Sequence, residues 1–503
     1  MTTAATSITL PADTTRFLLR LSPEILLKSQ QVRRQFQETL RRNLRTVLTR
    51  EGIDHTMRHY HGRMMLDVPR TMRARTRDLL PKIFGLGSFS VIDAQVENTM
   101  EAITSTMVSL YADAIRGKRF AVLAKRIGPR VISTREVQYI GGGMLKDLTG
   151  ATVDLDTPEV LIRVDITEEG TYLFCDRVEG AGGLPAGTQG KVVSLVSGGF
   201  DSMVASWQMM RRGARMDFVL CNLAGAAAER MVLQAVKVLC DLWAAGLQPR
   251  FHIIDFQPLL ADIRTHQKQS YWQITLKRLM YRVAEGVAAD IHAGAIVTGE
   301  ALGQVSSQTL ANLVTIDAAT SMPVLRPLIG MDKKDIITQA RYIGTAPISE
   351  HVPEYCGITP TKPATSSTIE RVARGEANMD PALVEAAVRD RKIIDVNGVT
   401  AADLRTPYLW ADSLPEGARL IDCQPPEFYR HWHAPGALHY TVEDLKRLYK
   451  EVPKDGTYIL YCHRGVLSAV MAEHMQQRGY AAYAYRGGLS SLRTELGLDG
   501  FEF

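Results

Sequence analysis

The sequence predicts a multidomain α/β protein, and three observations lead to this prediction. The chain has 503 residues, which is too long for one ordinary core, so three or four domains are expected. From Lys191 onward short apolar strands alternate with helical stretches, which indicates βαβ units in a doubly wound parallel sheet. A second alternation begins near Arg419, whereas the residues before Gly180 mix strands and helices as small α+β domains do.

The composition is that of an ordinary globular protein. Hydrophobic residues make up 46% of the chain and charged residues 22%. No segment has the length and apolar purity of a membrane span, and the first residues lack the pattern of a secretory signal. The six cysteines form no CxxC pair, which favours a reducing compartment. We therefore expect a cytoplasmic protein without a membrane partner.

Positive charge is concentrated at the start of the chain. The formal net charge is +5, but residues 1–80 hold 15 Lys/Arg and 7 Asp/Glu, a local charge of +8. Fourteen of these cations are arginines, whose planar side chain suits bidentate binding of phosphate. At this point two interpretations stay open, a solvated basic face and a surface for an acidic partner such as RNA.

The first two predicted domains are small α+β units at 1–75 and 76–180. A strand is predicted over 15–21 and a helix over 29–49. On that helix one set of apolar residues has the spacing of a buried stripe, and three arginines lie opposite. The stripe is Val32, Phe36, Leu40, Leu44 and Val47, and the arginines are Arg34, Arg41 and Arg45.

The rest of the chain is predicted to hold two α/β domains. The glycine-rich stretch EGAGGLPAGTQG at 179–190 indicates a linker. A parallel-sheet domain is then expected over 181–375, a polar linker over 376–408 and a last α/β domain over 409–503.

The stretch SLVSGGFDSMVASW at 194–207 carries the first chemical signal. Gly198 and Gly199 let the backbone approach phosphate oxygens, and the following helix offers free N–H groups. Ser197 and Ser202 add hydroxyl donors. No lysine follows the glycines as it does in the P-loop of kinases and GTPases, so that class is excluded.

This SGGFDS loop resembles the signature of the ATP pyrophosphatase, or PP-loop, family. The resemblance implies that ATP is cleaved between its α and β phosphates and that AMP is transferred to a substrate oxygen. A carboxylate then has a role, because Asp201 would help to hold Mg²⁺ against the departing pyrophosphate.

The second signal is YCHRGVLSAVMAEHM, in which Cys462 ends a strand and precedes a helix. Backbone N–H groups and the helix dipole favour a thiolate there. Together with LIDCQPPEFYRHWHAPGALHY, this loop resembles the active-site loop of rhodanese-type sulfurtransferases, whose cysteine carries a persulfide. Leu467 and Gln424 stand where many rhodaneses have arginine, which argues against thiosulfate turnover. The alternative for Cys462 is a small buried hydrophobe.

The combination of modules resembles the tRNA 4-thiouridine synthetase family in its long bacterial form. RLSPEILLKSQQVRRQF is similar to the family's ferredoxin-like region, and AKRIGPRVISTREVQYIGGGML is similar to its RNA-binding THUMP domain. The resemblance implies a ferredoxin-like domain, a THUMP domain, a PP-loop domain and a rhodanese-like domain, in this order.

The resemblance also implies roles for individual residues. The implied ATP-site residues beyond the loop itself are Leu195, Val196, Lys277, Gly299, Gln308 and Lys333. Leu195 and Val196 would contact the adenine side, and Lys333 would assist activation. Cys356, in PEYCGITP, would form a redox disulfide with Cys462 during turnover. The other four cysteines, Cys175, Cys221, Cys240 and Cys423, are assigned to packing.

The implied reaction joins these parts. A cysteine desulfurase passes sulfur to Cys462, the amino-terminal domains hold tRNA, and ATP adenylates O4 of the uridine at position eight. The persulfide then supplies sulfur directly or as hydrosulfide. The resemblance further implies a homodimer and sulfur donation to the sulfur-carrier protein of the thiazole pathway of thiamine.

Two other functions compete with this interpretation. One is a sulfur-relay or RNA-binding protein without its own adenylation activity. The other is an ATP-dependent amidating ligase that uses the same loop, although no glutaminase-like cysteine–histidine module is visible. Intact SGGFDS and Cys462 loops favour the thiolation enzyme over the relay protein, and the missing ammonia source favours it over the ligase.

Overall fold

The structure is a computed structural model. It describes the following residues: 13–60, 63–128, 132–350, 362–400, 403–404, 409–424, 426–441, 444–462, 466–486 and 488–498. The chain divides into two compact units, which we call the amino-terminal unit (Met1–Thr188 and Arg211–Gly213) and the carboxyl-terminal unit (Gln189–Met210 and Ala214–Phe503). Within the described residues, no helix combines the length and apolar character needed to cross a bilayer.

The amino-terminal unit begins with an antiparallel sheet covered by one long helix. The predicted stripe on this helix is largely confirmed, because Phe36, Leu40, Leu44 and Val47 are buried and only Val32 is half-buried. The elements are β1 (Thr14–Leu21), α1 (Pro23–Leu26), α2 (Gln30–Arg50), β2 (Thr56–Tyr60), β3 (Arg63–Pro69), α3 (Arg73–Leu79) and β4 (Leu86–Val91).

A second sheet follows in the same unit and packs its strands against two helices. Thr99 and Ser133 cap these helices by accepting hydrogen bonds from the backbone N–H groups of Ala102 and Glu136. The elements are β5 (Ala94–Val96), α4 (Met100–Ile115), β6 (Arg119–Arg126), α5 (Thr134–Thr149), β7 (Thr152–Val153), β8 (Val160–Thr167) and β9 (Gly170–Phe174). The strand order is β5-β9-β8-β6-β7.

The chain then returns to the first sheet. A short strand, β10 (Val178–Glu179), pairs with β4, which gives the order β10-β4-β1-β3-β2. The first sheet therefore includes strands that the sequence prediction placed in the 76–180 domain. Strands β4 and β10 belong to the first sheet because they pair with strands that are distant in the sequence. Local sequence patterns do not reveal such pairing.

The carboxyl-terminal unit contains the predicted parallel sheet, in the order β15-β14-β11-β12-β13-β16. All pairs are parallel except β13 with β16, and β16 lies in the segment predicted as the linker 376–408. The elements are β11 (Lys191–Leu195), α6 (Phe200–Arg211), β12 (Arg215–Asn222), α7 (Ala226–Trp243), β13 (Arg250–Asp255), α8 (Gln257–His266), α9 (Trp272–Asp290), β14 (Ile296–Val297), α10 (Leu310–Asp317), β15 (Val324–Leu325), α11 (Lys333–Ile343), α12 (Ala346–Ser349), α13 (Ile369–Glu376), α14 (Ala382–Arg389) and β16 (Lys392–Asp395).

The last part of this unit is a smaller, fully parallel sheet with the order β17-β21-β20-β18-β19. A separate apolar core covers each of its faces. The elements are β17 (Trp410–Ala411), β18 (Arg419–Asp422), α15 (Pro426–His431), β19 (Leu438–His439), α16 (Leu445–Glu451), β20 (Thr457–Tyr461), α17 (Val466–Gln476), β21 (Ala481–Tyr485) and α18 (Gly488–Glu495).

Helix α17 of the small sheet packs against α7 of the large sheet. At this contact a Cβ built on Gly225 would lie 3.0 Å from Glu473 Oε2. Gly225 precedes α7, which begins after the carboxyl end of β12. The two parallel sheets therefore meet at the edge of the large sheet where its strands deliver their loops.

Candidate active site

The loop after β11 is folded as an anion cradle. Gly198 has φ +78°, a backbone conformation that suits glycine. Ser202 Oγ donates to the Gly199 carbonyl at 3.1 Å and accepts a hydrogen bond from the Ser197 N–H at 3.3 Å. Helix α6 begins at Phe200, so its free N–H groups face the same loop. The predicted strand–loop–helix arrangement is present.

A second loop approaches this cradle very closely at Gly299. A Cβ at Gly299 would lie 2.6 Å from the carbonyl carbon of Asp201 and 2.7 Å from the Ser202 nitrogen. Real Cβ atoms do not reach such distances, so only glycine fits there. This contact brings the segment after β14 against the cradle, as the grouping of Gly299 with the SGGFDS loop implied.

Asp201 is held by two side chains from distant parts of the chain. Lys333 Nζ, at the first residue of α11, lies 2.7 Å from Asp201 Oδ1. Gln304 Nε2 donates to Asp201 Oδ2 at 2.8 Å. The structure therefore joins two predicted site residues, Asp201 and Lys333, directly. Gln304 was missed, although it lies in the same TGEALGQVSSQT stretch as two predicted residues.

Lys277 belongs to a separate buried charge cluster centred on Glu300. Glu300 Oε1 lies 2.7 Å from Lys277 Nζ, and Oε2 accepts hydrogen bonds from Tyr281, Thr298 and Arg326 at 2.6, 3.1 and 2.9 Å. Burial alone would raise the pKa of Glu300, but Lys277 first and then Tyr281 and Arg326 lower it to about 2. The cluster holds a charged lysine in a fixed position at the carboxyl end of β14.

Sequence reasoning missed Glu300 and Arg326. A signal existed, because each follows a short parallel strand, where side chains of functional sites collect. The sequence could not predict that these side chains pair with one another, since Lys277, Glu300 and Arg326 come from three different elements.

Gln308 carries an acceptor without a partner. Its side chain is 7% exposed, and Gln308 Oε1 is buried without a hydrogen bond to the described part of the chain. The Gln308 carbonyl accepts the Gly303 N–H at 2.9 Å, which keeps this residue near the Gln304 end of the loop. A buried orphan acceptor costs free energy unless a ligand satisfies it. Leu195 and Val196 lie at the end of β11, half-buried and buried.

The donors around Asp201 suit Mg²⁺ better than a transition metal. The Asp201 carboxylate accepts from Lys333 and Gln304 in this structure, and its hard oxygen atoms suit Mg²⁺, which keeps most of its ligands as water and phosphate. In the described ranges, no three His, Cys, Asp or Glu side chains form a ready-made metal site. Asp201 therefore fits a magnesium ion that arrives with a nucleotide.

Cys462 ends β20 and precedes α17, as predicted. It is 4% exposed, and its Sγ lies 3.6 Å from Ser468 Oγ. Gln424, at one of the positions where many rhodaneses have arginine, donates from Nε2 to Asp422 Oδ2 at 3.0 Å and from its backbone N–H to Oδ1 at 2.8 Å. The neutral amide of Gln424 thus donates a hydrogen bond to the buried Asp422 carboxylate.

The remaining cysteines divide into two groups. Cys356 lies outside the described residues. Cys221, Cys240 and Cys423 are buried and Cys175 is half-buried. Burial raises the pKa of Cys175 to about 12 and raises the pKa of Cys221 and Cys240 further. Thiols of this kind are poor nucleophiles, which agrees with a packing role for these three.

A strongly basic pocket lies in the amino-terminal unit, between its two sheets. It is lined by one acid, two apolar residues and five cations: Asp165, Leu123, Phe174, Arg20, Arg63, Lys125, Arg163 and Arg177. Burial first, and then Arg63, Arg177 and Arg163 against the opposing effect of Asp165, lower the pKa of Arg20 to about 10. Arg63 pairs with Asp165, so the pocket retains an excess of positive charge. Such an excess suits a phosphate group.

Four family models match the chain in sequence order. They are the ThiI ferredoxin-like domain at 16–90, the THUMP domain at 97–176, the Thiamine biosynthesis protein (ThiI) at 187–380 and the rhodanese-like domain at 406–495. Together with the loop geometry, they define a PP-loop protein with an appended rhodanese domain.

Curated relatives and a solved structure agree with this class. A tRNA sulfurtransferase of Aeromonas hydrophila is 35% identical over 477 residues, which cover 93% of this chain and 98% of the relative. A tRNA sulfurtransferase of Pyrobaculum aerophilum is 38% identical over 411 residues, 81% of this chain and 84% of the relative. The chain therefore belongs to the tRNA sulfurtransferase family and is a sulfurtransferase.

The structural comparison gives the same result. The crystal structure of a 4-thiouridine synthetase–RNA complex with bound ATP has a TM-score of 0.68 and 32% sequence identity to this chain. The match covers 76% of this chain and 99% of that chain. The predicted multidomain fold, with ferredoxin-like, THUMP, PP-loop and rhodanese-like domains, is confirmed.

Proposed function

We propose that this protein uses ATP to adenylate O4 of the uridine at position eight of tRNA and replaces that oxygen with sulfur, giving 4-thiouridine. The observation that carries the proposal is the Asp201–Lys333 pair at 2.7 Å in the SGGFDS cradle, on a chain that also holds Cys462 before a helix. A relay protein needs no intact adenylation site. The ATP and RNA bound in the related 4-thiouridine synthetase structure support the same substrates here.

The cradle residues would have different roles in adenylation. Backbone N–H groups at Gly198 and Gly199 and the hydroxyls of Ser197 and Ser202 would bind phosphate oxygens. Lys333 would leave Asp201 and stabilise the charge that develops on the α-phosphate. Asp201 would hold Mg²⁺, which would neutralise charge on the pyrophosphate when bound. Lys277, which pairs with Glu300 at 2.7 Å, would reach the nucleotide.

Gln308 is suited to the base of ATP. Its buried Oε1 accepts no hydrogen bond from the described residues, and the exocyclic amino group of adenine is a donor. Leu195 and Val196 at the end of β11 provide an apolar side for the ring. The pocket would thereby select adenine over guanine, which offers an acceptor at the corresponding atom.

The sulfur supply is assigned to Cys462. A cysteine desulfurase would load it with sulfane sulfur, and the persulfide would then attack C4 of the adenylated uridine or deliver hydrosulfide to it. Cys356 would resolve the persulfide by forming the Cys356–Cys462 disulfide. The packing of α17 on α7 supports delivery at the loop edge of the large sheet.

The basic pocket of the amino-terminal unit supports tRNA binding. Arg20 and Arg63 come from the first sheet and Lys125 and Arg163 from the second, so one phosphate group would contact both domains. We also infer a second use of the rhodanese-like domain, sulfur donation to the thiazole pathway of thiamine, because this domain has its own core around Cys462.

The test is formation of 4-thiouridine in unmodified tRNA with ATP, Mg²⁺, cysteine and a desulfurase, read by its near-ultraviolet absorbance. Product from the wild type and none from Asp201→Ala or Cys462→Ala is the expected result. If Cys462 takes up sulfur but no product forms, the chain is a sulfur relay. Product that forms equally well with Asp201→Ala would remove the adenylation site from the proposal.

A further inference from the structure

Cys423 and Cys462 are neighbours across two parallel strands. Strands β18 and β20 pair in register, with Asp422 opposite Tyr461, so the next residue on each strand is a cysteine. The pairing continues past this point, because the Cys423 N–H donates to the Tyr461 carbonyl at 2.8 Å. Adjacent strands lie about 4.8 Å apart, within the Cα separation that a disulfide spans.

The two side chains also point to the same face of the sheet. Tyr458, Leu460 and Cys462 of one strand contribute to the same apolar core as Ile421 and Cys423 of the other. The alternate residues Ile459 and Tyr461 contribute to the core on the opposite face. Side chains alternate between faces with a period of two, so this division fixes both thiols on one side.

We propose that Cys423 is a second sulfur-handling residue, which discharges the Cys462 persulfide when its sulfur is not delivered to a substrate. The Cys423 sulfur attacks the inner sulfur of the persulfide, forms the Cys423–Cys462 disulfide and expels hydrosulfide. The bond between the two persulfide sulfurs breaks: the outer sulfur is reduced to hydrosulfide, the Cys423 sulfur is oxidised from thiol to disulfide, the Cys462 sulfur keeps its oxidation state, and the Cys423 proton leaves with the hydrosulfide. A dithiol reductant then restores both thiols. The inference rests on the proposed persulfide at Cys462.

Burial makes this discharge slow. Cys423 is fully buried, and burial first, with Cys462 and Asp422, raises the pKa of its thiol well above the usual range. The thiolate is the attacking form in thiol–disulfide exchange, so a protonated thiol reacts slowly. A slow discharge leaves time for transfer to a bound substrate before the persulfide is lost.

The experiment follows the lifetime of the persulfide in the full chain without tRNA or ATP. The protein is loaded by a desulfurase and cysteine, freed of the donor, and sampled over time by alkylation, peptide mass spectrometry and a hydrosulfide assay. The variants are Cys423→Ala, Cys356→Ser and, as a matched buried control from β12, Cys221→Ala.

Wild type and Cys221→Ala are expected to form one Cys423–Cys462 disulfide for each hydrosulfide released, and this disulfide should still form in Cys356→Ser, where Cys356 cannot resolve the persulfide. Cys423→Ala should form none and should keep its persulfide about tenfold longer. Equal persulfide lifetimes in wild type and Cys423→Ala, or a disulfide that joins only Cys356 and Cys462, would overturn the role of Cys423 alone. Failure of Cys462 to load would overturn the proposed persulfide and this inference together.

Discussion

Lys333 Nζ lies 2.7 Å from Asp201 Oδ1, although 131 residues separate them along the chain. The pair joins the SGGFDS cradle to the start of α11 and places a cation beside the proposed ATP-binding loop. Gln304 Nε2 donates a hydrogen bond to the other carboxylate oxygen, Asp201 Oδ2, at 2.8 Å. Three segments of the chain thus converge on one carboxylate, which is the arrangement expected where a leaving group must be held and its charge neutralised.

Replacing Lys333 should therefore impair chemistry more than folding. For Lys333→Gln we expect kcat for thiolation to fall about 100-fold or more, because a donor to developing phosphate charge is lost. ATP–pyrophosphate exchange in the presence of tRNA should fall in parallel, while sulfur loading of Cys462 stays at the wild-type level. Lys334→Gln, the adjacent lysine on the same helix, is the control. A normal exchange rate in Lys333→Gln would show that this lysine only positions Asp201.

Much of this site could be predicted from the sequence, and the rest depends on contacts between distant residues. The strand–loop–helix around Gly198 and the strand–Cys462–helix are local, so their patterns were sufficient. Glu300 was missed because its partners Lys277 and Arg326 come from other elements. The edge strand β16 was assigned to the linker 376–408 and β10 to the 76–180 domain for the same reason, since strands of four and two residues carry too little pattern of their own.

Glu300→Gln should destabilise the large-sheet domain. The change leaves Lys277 without its buried counter-charge, and breaking a buried ion pair costs about 3–5 kcal/mol. The pKa of Glu300 is about 2, below its value of about 4.3 in an unfolded chain. Its charge thus adds stability above about pH 4.3, and this contribution is lost as the pH falls toward 2.

Calorimetry checks this prediction across pH. The unfolding temperature of Glu300→Gln should lie well below that of the wild type at pH 7, and the gap should narrow as the pH falls from about 4.3. Glu285→Gln, at a more exposed carboxylate of the same domain, should shift the temperature far less. A gap that stays constant down to pH 3 would contradict the assignment of the ion pair.

Neutralising the basic pocket should weaken tRNA binding in a salt-dependent way. Arg20→Gln or Arg163→Gln removes a cation that faces the other guanidinium groups of the pocket. For each phosphate contact that is lost, the slope of the logarithm of the tRNA binding constant against the logarithm of the salt concentration should fall by about 0.9, the value for a duplex backbone. Filter binding over a range of salt concentrations measures this. Arg389→Gln, an exposed arginine paired with Asp390 in the other unit, should leave the slope unchanged, and equal slopes for all variants would contradict phosphate binding in the pocket.

The contact between the two parallel sheets gives the last prediction. Gly225 has φ +87° and ψ −169°, a conformation essentially limited to glycine, and an added Cβ would lie 3.0 Å from Glu473 Oε2. Gly225→Ala should therefore shift the backbone at the start of α7 and displace the Glu473 carboxylate, which loosens the α7–α17 contact. Thiolation should slow, because the domain that carries Cys462 is held less firmly against the large-sheet domain, while sulfur loading and ATP–pyrophosphate exchange persist.

Gly417→Ala is the control that distinguishes loss of the α7–α17 contact in Gly225→Ala from the effect of backbone strain alone. Gly417 also has a positive φ, +74°, but a Cβ there would meet no atom within 4 Å. Limited proteolysis and small-angle scattering should report a loosened carboxyl-terminal unit for Gly225→Ala and not for Gly417→Ala. If both variants thiolate tRNA at the same rate, the α7–α17 contact is not needed for sulfur delivery, and Cys462 must reach the cradle from another position.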